Sequence, residues 1–159
     1  PLATVGVNVE FDFDLLSKPS TKKLIVHTTL EPHIGLVRLF PGITEAWMEH
    51  ILSVPDLKAL VMETYGSGNA PTDPKFIRAL AAAIKNGLIV INVSQCSGGS
   101  VEQGKYETSK LLKEIGVISG ADLTTEAALT KLMVLLGQYP KDIKKVKKMM
   151  ITSLCGEIS

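Results

Sequence analysis

The chain has 159 residues, of which 45% are hydrophobic and 21% are charged, and its formal net charge is +1. These values predict one globular domain with a proper core, and they give no electrostatic basis for binding nucleic acid or an anionic membrane. The longest apolar runs are far too short to cross a bilayer. Two cysteines cannot form a disulfide framework, so we expect reduced thiols in a cytoplasmic protein. No signal peptide is visible in the first ten residues, and the missing initiating Met suggests a fragment or a processed product.

The first residues predict an arm that leads into the folded domain. Val5, Val7 and Val9 alternate with small or polar residues, as in a half-buried or edge strand. The stretch that follows, with its Asp, Lys, Pro and Ser residues, is typical of a loop or linker. We therefore assign residues 1–23 to an arm or interdomain linker and residues 24–159 to an α/β domain.

Four apolar runs predict the strands of a sheet, and they occupy residues 24–28, 35–40, 57–62 and 88–93. Patterns of helical spacing separate the later runs, and strands that alternate with helices imply a parallel sheet. The predicted fold is a single doubly wound α/β domain. It has three layers, with a four-stranded, mainly parallel sheet flanked by helices.

Five helices are predicted from capping residues and from apolar positions at helical spacing. A short apolar segment at residues 117–118 lies between the third and fourth of them. Four helices are placed at residues 45–53, 74–86, 106–115 and 141–154, and the remaining one runs through Gln138 from a cap at Asp122 or Thr124.

Two glycine-rich loops follow the third and fourth predicted strands, at residues 66–69 and 97–100. In open α/β sheets, ligands bind beyond the carboxyl ends of the strands. The glycines allow close approach of the backbone, and Asn69 offers both a donor and an acceptor. The same composition is equally expected of a strand-to-helix turn that binds nothing.

The residues alone predict no self-sufficient catalytic set, no metal site and no cofactor. Neither loop has the glycine spacing of a nucleotide fingerprint. His27, His33 and His50 lack metal-ligand spacing, and no histidine follows them to activate Cys96 as a nucleophile. A structural thiol is the expected state of Cys96. The lysine-rich last helix is expected to be a solvated face over an apolar one.

Three longer motifs occur along the chain. Residues 63–71 contain Tyr-Gly-x-Gly-Asn-Ala-Pro, and residues 89–101 contain an apolar strand followed by Gln-Cys-x-x-Gly-x-Val. Residues 116–132 read Gly-Val-Ile-Ser-Gly-Ala-Asp-Leu-Thr-Thr-Glu-Ala-Ala-Leu-Thr-Lys-Leu. In this order and spacing, the motifs resemble those of type I, cytoplasmic-type bacterial L-asparaginases. Weaker similarity extends back to Pro1, so the resemblance covers nearly the whole chain.

The resemblance implies hydrolysis of L-asparagine to L-aspartate and ammonia through a threonine-linked acyl-enzyme. In that family the nucleophilic threonine and its partners lie in an N-terminal domain, and their motifs do not occur here. The chain is therefore expected to be the C-terminal domain alone, and it is expected to be inactive by itself. The resemblance also implies a homo-oligomer, which is an intimate dimer or a tetramer of the full-length enzyme.

The resemblance further implies roles for three residues. Asn69 would reach towards the active site of a neighbouring subunit and orient the substrate or the catalytic groups. Some type I enzymes bind regulatory asparagine at a second site, whose counterparts here are Cys96 and Glu63. Where those enzymes have an arginine this chain has Glu63, which inverts the charge and removes a bidentate clamp for a carboxylate.

Two alternatives stay open. The chain could be a stand-alone, amino-acid-binding regulatory module without catalysis. It could also belong to a related amidotransferase, which releases ammonia from glutamine for tRNA-dependent amidation. The reading frame upstream of Pro1 distinguishes the first alternative from an asparaginase. The relative turnover of asparagine and glutamine by the full-length protein distinguishes the second alternative.

Overall fold

The computed structural model describes residues 2–15, 20–104 and 107–159. Its arm is a two-stranded antiparallel hairpin of β1 (Ala3–Val5) and β2 (Val9–Phe11), which is followed by a short 3-10 helix at Phe13–Leu15. The single strand predicted through Val7 is therefore wrong. Because the Gly6 N–H donates to the Asn8 carbonyl at 2.9 Å, the chain turns there, and Val7 lies at the tip of the turn. Residues 16–19 of the predicted linker lie outside the described residues.

The main sheet has four parallel strands in the order in which they occur along the chain: β3 (Ile34–Arg38), β4 (Ala59–Thr64), β5 (Ile89–Ser94) and β6 (Ile118–Ser119). Leu60 pairs with Gly35 on one side and with Val90 on the other, so β4 is central and buried on both faces. The predicted parallel sheet is confirmed, although its fourth strand arises from the short segment near residue 118.

The strand predicted at Leu24–Thr28 is wrong. These residues have no strand partner in the described part of the chain, and Leu24 is 83% exposed. The segment runs towards the C-terminal end of the fourth helix, where a Cβ on Gly137 would meet the Thr29 backbone and where the Glu31 N–H donates to the Met133 carbonyl. An apolar, β-branched sequence forms a strand only beside an edge with free N–H and C=O groups, and this segment runs past a helix instead.

Within the described residues, five α-helices occupy the predicted regions: α1 (Glu45–Leu52), α2 (Pro74–Lys85), α3 (Glu107–Glu114), α4 (Thr125–Gln138) and α5 (Ile143–Met150). The side chains of Thr44, Asp73, Thr124 and Asp142 cap four of them by accepting N–H groups of the first turn. The last helix is shorter than predicted at both ends. Residue 106, at which the third helix was predicted to begin, lies outside the described residues.

Three layers are formed by the sheet and two groups of helices. Leu60, Met62 and Val90 pack on one face with buried residues of α1, α2 and α3, whereas Val61 and Ile91 pack on the other with α4 and α5. The predicted three-layer arrangement is confirmed. The strand order never reverses, however, so the second helical layer comes from the two helices after β6 and not from a doubly wound crossover.

Residues 151–159 follow α5 and pack along α4. Ile158 is buried in the core of that face, and the hydroxyl and N–H of Ser159 donate to the carboxylate of Asp122. These two bonds hold the pKa of Asp122 below its usual range, so the carboxylate stays charged. The segment thereby fixes the loop that leads into α4.

Candidate functional site

The turn after β4 lies at the carboxyl edge of the sheet. Tyr65 and Asn69 pair across it, with each N–H donating to the other's carbonyl at 2.9 Å. Gly66 and Gly68 adopt φ angles of 51° and 108°, which favour glycine. A Cβ on Gly68 would lie 2.7 Å from Val101 Cγ1. Both glycines are therefore required by the geometry of the turn, and they hold Asn69, which is half-buried, at this edge.

Two fully buried polar side chains lie beneath the turn. Thr64 ends β4 and Asn92 lies on β5, and both residues are 0% exposed. The Thr64 hydroxyl donates to Asn92 Oδ1 at 2.5 Å, and Asn92 Nδ2 donates to the Gly68 carbonyl at 3.2 Å. The buried amide is thus satisfied at both of its ends, which removes most of the cost of burying it.

The loop after β5 is bonded to the same turn. The Ser94 hydroxyl donates to the Gly66 carbonyl at 2.6 Å and accepts the Cys96 N–H at 3.0 Å. Further along the loop, the Glu102 N–H donates to the Ser67 carbonyl at 3.0 Å. The two glycine-rich loops of the sequence are therefore joined by hydrogen bonds into one frame.

Gln95, the residue before Cys96 in the second motif, ties three strand ends together. Its Nε2 donates to the carbonyl of Leu39 at 2.6 Å and to that of Glu63 at 3.0 Å, and its N–H donates to the Thr64 carbonyl at 3.0 Å. These are the ends of β3 and β4, next to the end of β5 from which Gln95 itself extends. The edge that carries the turn is held by side-chain bonds as well as by the sheet.

A hollow of about 330 Å³ opens beside this frame, between the loop after β5 and the N-terminus of α4. It brings together the two residues predicted for a regulatory site, and Asn69 does not line it. The lining residues are Glu63, Ser94, Gln95, Cys96, Ser97, Gly98, Gly99, Asp122, Leu123, Thr124, Thr125 and Glu126.

Glu63 already has partners in this hollow. Its carboxylate accepts the Thr125 hydroxyl at 2.6 Å and lies 3.7 Å from Arg38 Nε, and only 14% of its side chain is exposed. Arg38 is the residue opposite Glu63 in the sheet register. A guanidinium is thus present beside Glu63, and it faces the Glu63 carboxylate.

Tyr65 is the titratable residue of the turn. Burial raises the pKa of its phenol, which is protonated at neutral pH. His33 Nδ1 lies 2.6 Å from Glu31 Oε1 in the segment before β3, at the opposite edge of the sheet. Within residues 2–15, 20–104 and 107–159 no cluster of three or more His, Cys, Asp or Glu could hold a metal. None of the helices in those ranges is both long and apolar enough to cross a membrane.

Comparison with known proteins decides the family. The family model of the glutaminase/asparaginase C-terminal domain matches residues 33–150. The chain belongs to this family. L-asparaginase 1 of Escherichia coli K12 is 42% identical over 159 residues, which is all of this chain and 46% of that protein. The mouse 60 kDa lysophospholipase is 41% identical over the whole chain and 28% of its own length.

A solved structure supports membership of the same family. L-asparaginase I of Vibrio cholerae superposes with a TM-score of 0.89 at 36% identity, covering 100% of this chain and 48% of that one. A glutamyl-tRNA(Gln) amidotransferase component from Methanobrevibacter smithii is 35% identical over 98% of the chain and 34% of its own length. The chain therefore spans about half the length of these two asparaginases and a smaller part of the other two relatives.

The sequence predicts roles for Asn69, Glu63 and Cys96 but does not indicate the residues that hold them in place. Thr64 and Asn92 carry a visible signal, because each is a polar residue in the second half of a mainly apolar strand. Thr125 has no such signal, since its bond to Glu63 joins residues 62 positions apart.

Proposed function

We propose that this chain is the C-terminal domain of an L-asparaginase, which hydrolyses L-asparagine to L-aspartate and ammonia. The observation that carries the proposal is the alignment of the whole chain with an L-asparaginase at 42% identity. The hydrogen-bonded turn that holds Asn69 at the carboxyl edge of the sheet agrees with it. In open α/β sheets this edge is where ligands bind.

The chemical step is assigned to an N-terminal domain, which supplies the nucleophilic threonine. The arm supports this assignment, because its apolar side chains are exposed in the described structure. Packing against another domain would bury them. They include Leu2, Val5, Val7, Val9, Phe11 and Phe13, together with Leu24, Ile25 and Val26 beyond the linker. An isolated hairpin with such a surface is marginally stable in water. We propose that residues 1–23 link the two domains and pack against the first.

Asn69 is proposed to complete the site of a neighbouring subunit in a cytoplasmic homo-oligomer, which is a dimer or a tetramer. A primary amide suits this role, because its oxygen accepts from an ammonium and its NH₂ donates to a carboxylate, and neither changes with pH. Asn69 would therefore orient the substrate or the catalytic groups and would transfer no proton.

A chimera tests the proposal. L-asparaginase 1 of Escherichia coli, with the region that matches this chain replaced by it, is expected to release ammonia from asparagine. Asn69→Ala in the chimera is expected to lower kcat/KM tenfold or more. The matched control is Asn86→Ala, since Asn86 caps the C-terminal end of α2 before β5, at the opposite edge of the sheet. A folded chimera in which the two variants are equally active would contradict the role of Asn69.

The alternatives make different predictions in the same assay. A domain of an amidotransferase would give a chimera that prefers glutamine. A stand-alone regulatory module would give an inactive chimera, and the 159-residue chain by itself would bind an amino acid in calorimetry. Ammonia release by the isolated chain would contradict the assignment of the nucleophile to another domain.

The hollow that contains Glu63 and Cys96 is proposed as the counterpart of a regulatory asparagine site. Its volume falls within the range typical of small-molecule sites, which begins at about 300 Å³. The Glu63 carboxylate repels the carboxylate of asparagine, so we expect weak binding. Glu63→Arg is expected to tighten asparagine binding about tenfold in calorimetry, whereas Glu63→Gln removes the repulsion without restoring a clamp. Equal affinities of the two variants would contradict a clamp at this position.

A further inference from the structure

We infer that Asn92, oriented by Thr64, is a positioning residue that fixes the peptide group preceding Asn69 and so sets the position of the Asn69 side chain. The inference rests on the proposed role of Asn69 in the substrate site. It assigns a function to two buried residues that no catalytic step uses.

The strand pattern sets these two buried residues apart from the apolar residues that precede them. Leu60 and Met62 precede Thr64 on one face of β4, and Val90 precedes Asn92 on the same face of β5. An apolar residue at either position would continue this column of buried apolar side chains. Burying a polar group instead is costly unless its hydrogen bonds are made. The two polar residues occur where the column reaches the turn, and their bonds lead to the turn.

The bonds fix one peptide group from both sides. The Gly68 carbonyl and the Asn69 N–H belong to the same peptide. Asn92 Nδ2 donates to that carbonyl at 3.2 Å, and the N–H donates to the Tyr65 carbonyl at 2.9 Å. Since a peptide group is planar, holding its two polar ends fixes the direction in which the chain enters Asn69.

The Gly68 carbonyl and Thr64 together hold the Asn92 amide in one orientation. The carbonyl can only accept, so it requires the NH₂ group, and the Thr64 hydroxyl donates to Asn92 Oδ1 at 2.5 Å and holds the other end of the amide. With the amide reversed, two oxygens would face each other and the turn would lose its donor. The Thr64 hydroxyl therefore acts through Asn92 on the peptide of Asn69.

Two substitutions isolate this effect. Thr64→Val keeps the shape and removes the hydroxyl, whereas Thr64→Ser keeps the hydroxyl. Asn92→Asp keeps the size and the acceptor for Thr64, but it places an oxygen against the Gly68 carbonyl. In the chimera, Thr64→Val and Asn92→Asp are expected to lower kcat/KM about tenfold, and Thr64→Ser is expected to stay within about twofold of the parent.

A double-mutant cycle separates positioning from general support of the fold. In the Asn69→Ala background, Thr64→Val is expected to change kcat/KM by less than about twofold, because the side chain that it positions is gone. Additive losses would show that Thr64 supports the fold and would overturn the inference. If Asn92→Asp does not fold, the Thr64→Val and Thr64→Ser pair decides the question.

Amide hydrogen exchange on the 159-residue chain gives a readout that is independent of activity. In Thr64→Val the Asn69 N–H is expected to exchange at least about tenfold faster, while amides of β4 and β5 in the core keep their protection. Unchanged exchange at Asn69 would overturn the inference. If Asn69→Ala leaves the activity of the chimera intact, the proposed role of Asn69 fails, and the exchange experiment still tests the positioning.

Discussion

Two buried polar assemblies lie on opposite faces of the sheet, and they are built from different groups. Thr64 and Asn92 lie beneath the Asn69 turn and contain no titratable atom, whereas Lys131 and Glu157 form an ion pair that fastens residues 151–159 to α4. The turn should therefore keep its geometry over a wide range of pH, whereas the packing of residues 151–159 against α4 should depend on pH. The proposed site is held by the neutral assembly.

The charged assembly is nearly closed to solvent. Lys131 Nζ pairs with the Glu157 carboxylate and donates to the Thr152 carbonyl at 2.7 Å, and the side chains of the pair are 5% and 13% exposed. Burial alone would raise the pKa of Glu157, but the bonds from Lys131 and from the Cys155 N–H outweigh it and hold that pKa well below its usual range. The same carboxylate raises the pKa of the Cys155 thiol, which donates to it.

The largest expected effect comes from breaking the ion pair. Lys131→Met leaves the Glu157 carboxylate buried without its partner, and it is expected to lower the free energy of unfolding in urea by about 3 kcal/mol. The double variant with Glu157→Gln should recover a large part of that loss. Lys144→Met, at an exposed position on α5, is the control. A loss below about 1 kcal/mol for Lys131→Met would show that the pair does not fasten the segment.

A smaller loss is expected from the neutral assembly. Asn92→Leu leaves the Gly68 carbonyl without the amide donor and the Thr64 hydroxyl with the more distant Val93 carbonyl at 3.3 Å, at an expected cost of about 2 kcal/mol in the free energy of unfolding. Because no charge is involved, urea titrations at about pH 4 and pH 7 should give the same loss. A loss that changes with pH would mean that this edge is coupled to the ionisable groups, and the contrast between the assemblies would not hold.

The smallest expected effect is the pH dependence of the charged assembly. The folded-state pKa of Glu157 lies below its ordinary value of 4.5. Its stabilisation is therefore complete above that pH and is lost as the pH falls through the folded-state pKa. The difference in unfolding free energy between the parent chain and Glu157→Gln should shrink by about 1 kcal/mol or more from pH 7 to pH 3.

The control for this titration is Glu114→Gln. Glu114 is exposed, and its pair with Lys110 on α3 spans 3.9 Å. The difference between this variant and the parent should change little over the same range. A difference for Glu157→Gln that stays constant or grows towards low pH would contradict the predicted direction of the pKa.

The sequence predicted those features of the structure that are determined by residues close together along the chain. Capping residues and apolar spacing placed four helices close to their observed bounds, and the glycines at 66 and 68 marked the turn that carries Asn69. The segment 24–28 was predicted wrongly because its apolar composition says nothing about which element it meets, and it runs past α4. The bonds of Thr64 to Asn92 and of Glu63 to Thr125 join distant residues, so no local pattern indicates them.

The proposal that Asn69 completes a neighbouring subunit's site is tested most directly by mixing two chimeras that are each impaired by a different substitution. One carries Asn69→Ala, and the other lacks the nucleophilic threonine of its N-terminal part. After unfolding and refolding together in equal amounts, half of the dimers are mixed, and each has one site with both intact groups, so about a quarter of the parent activity should return. A mixture that is no more active than its two components would contradict the sharing of Asn69 between subunits.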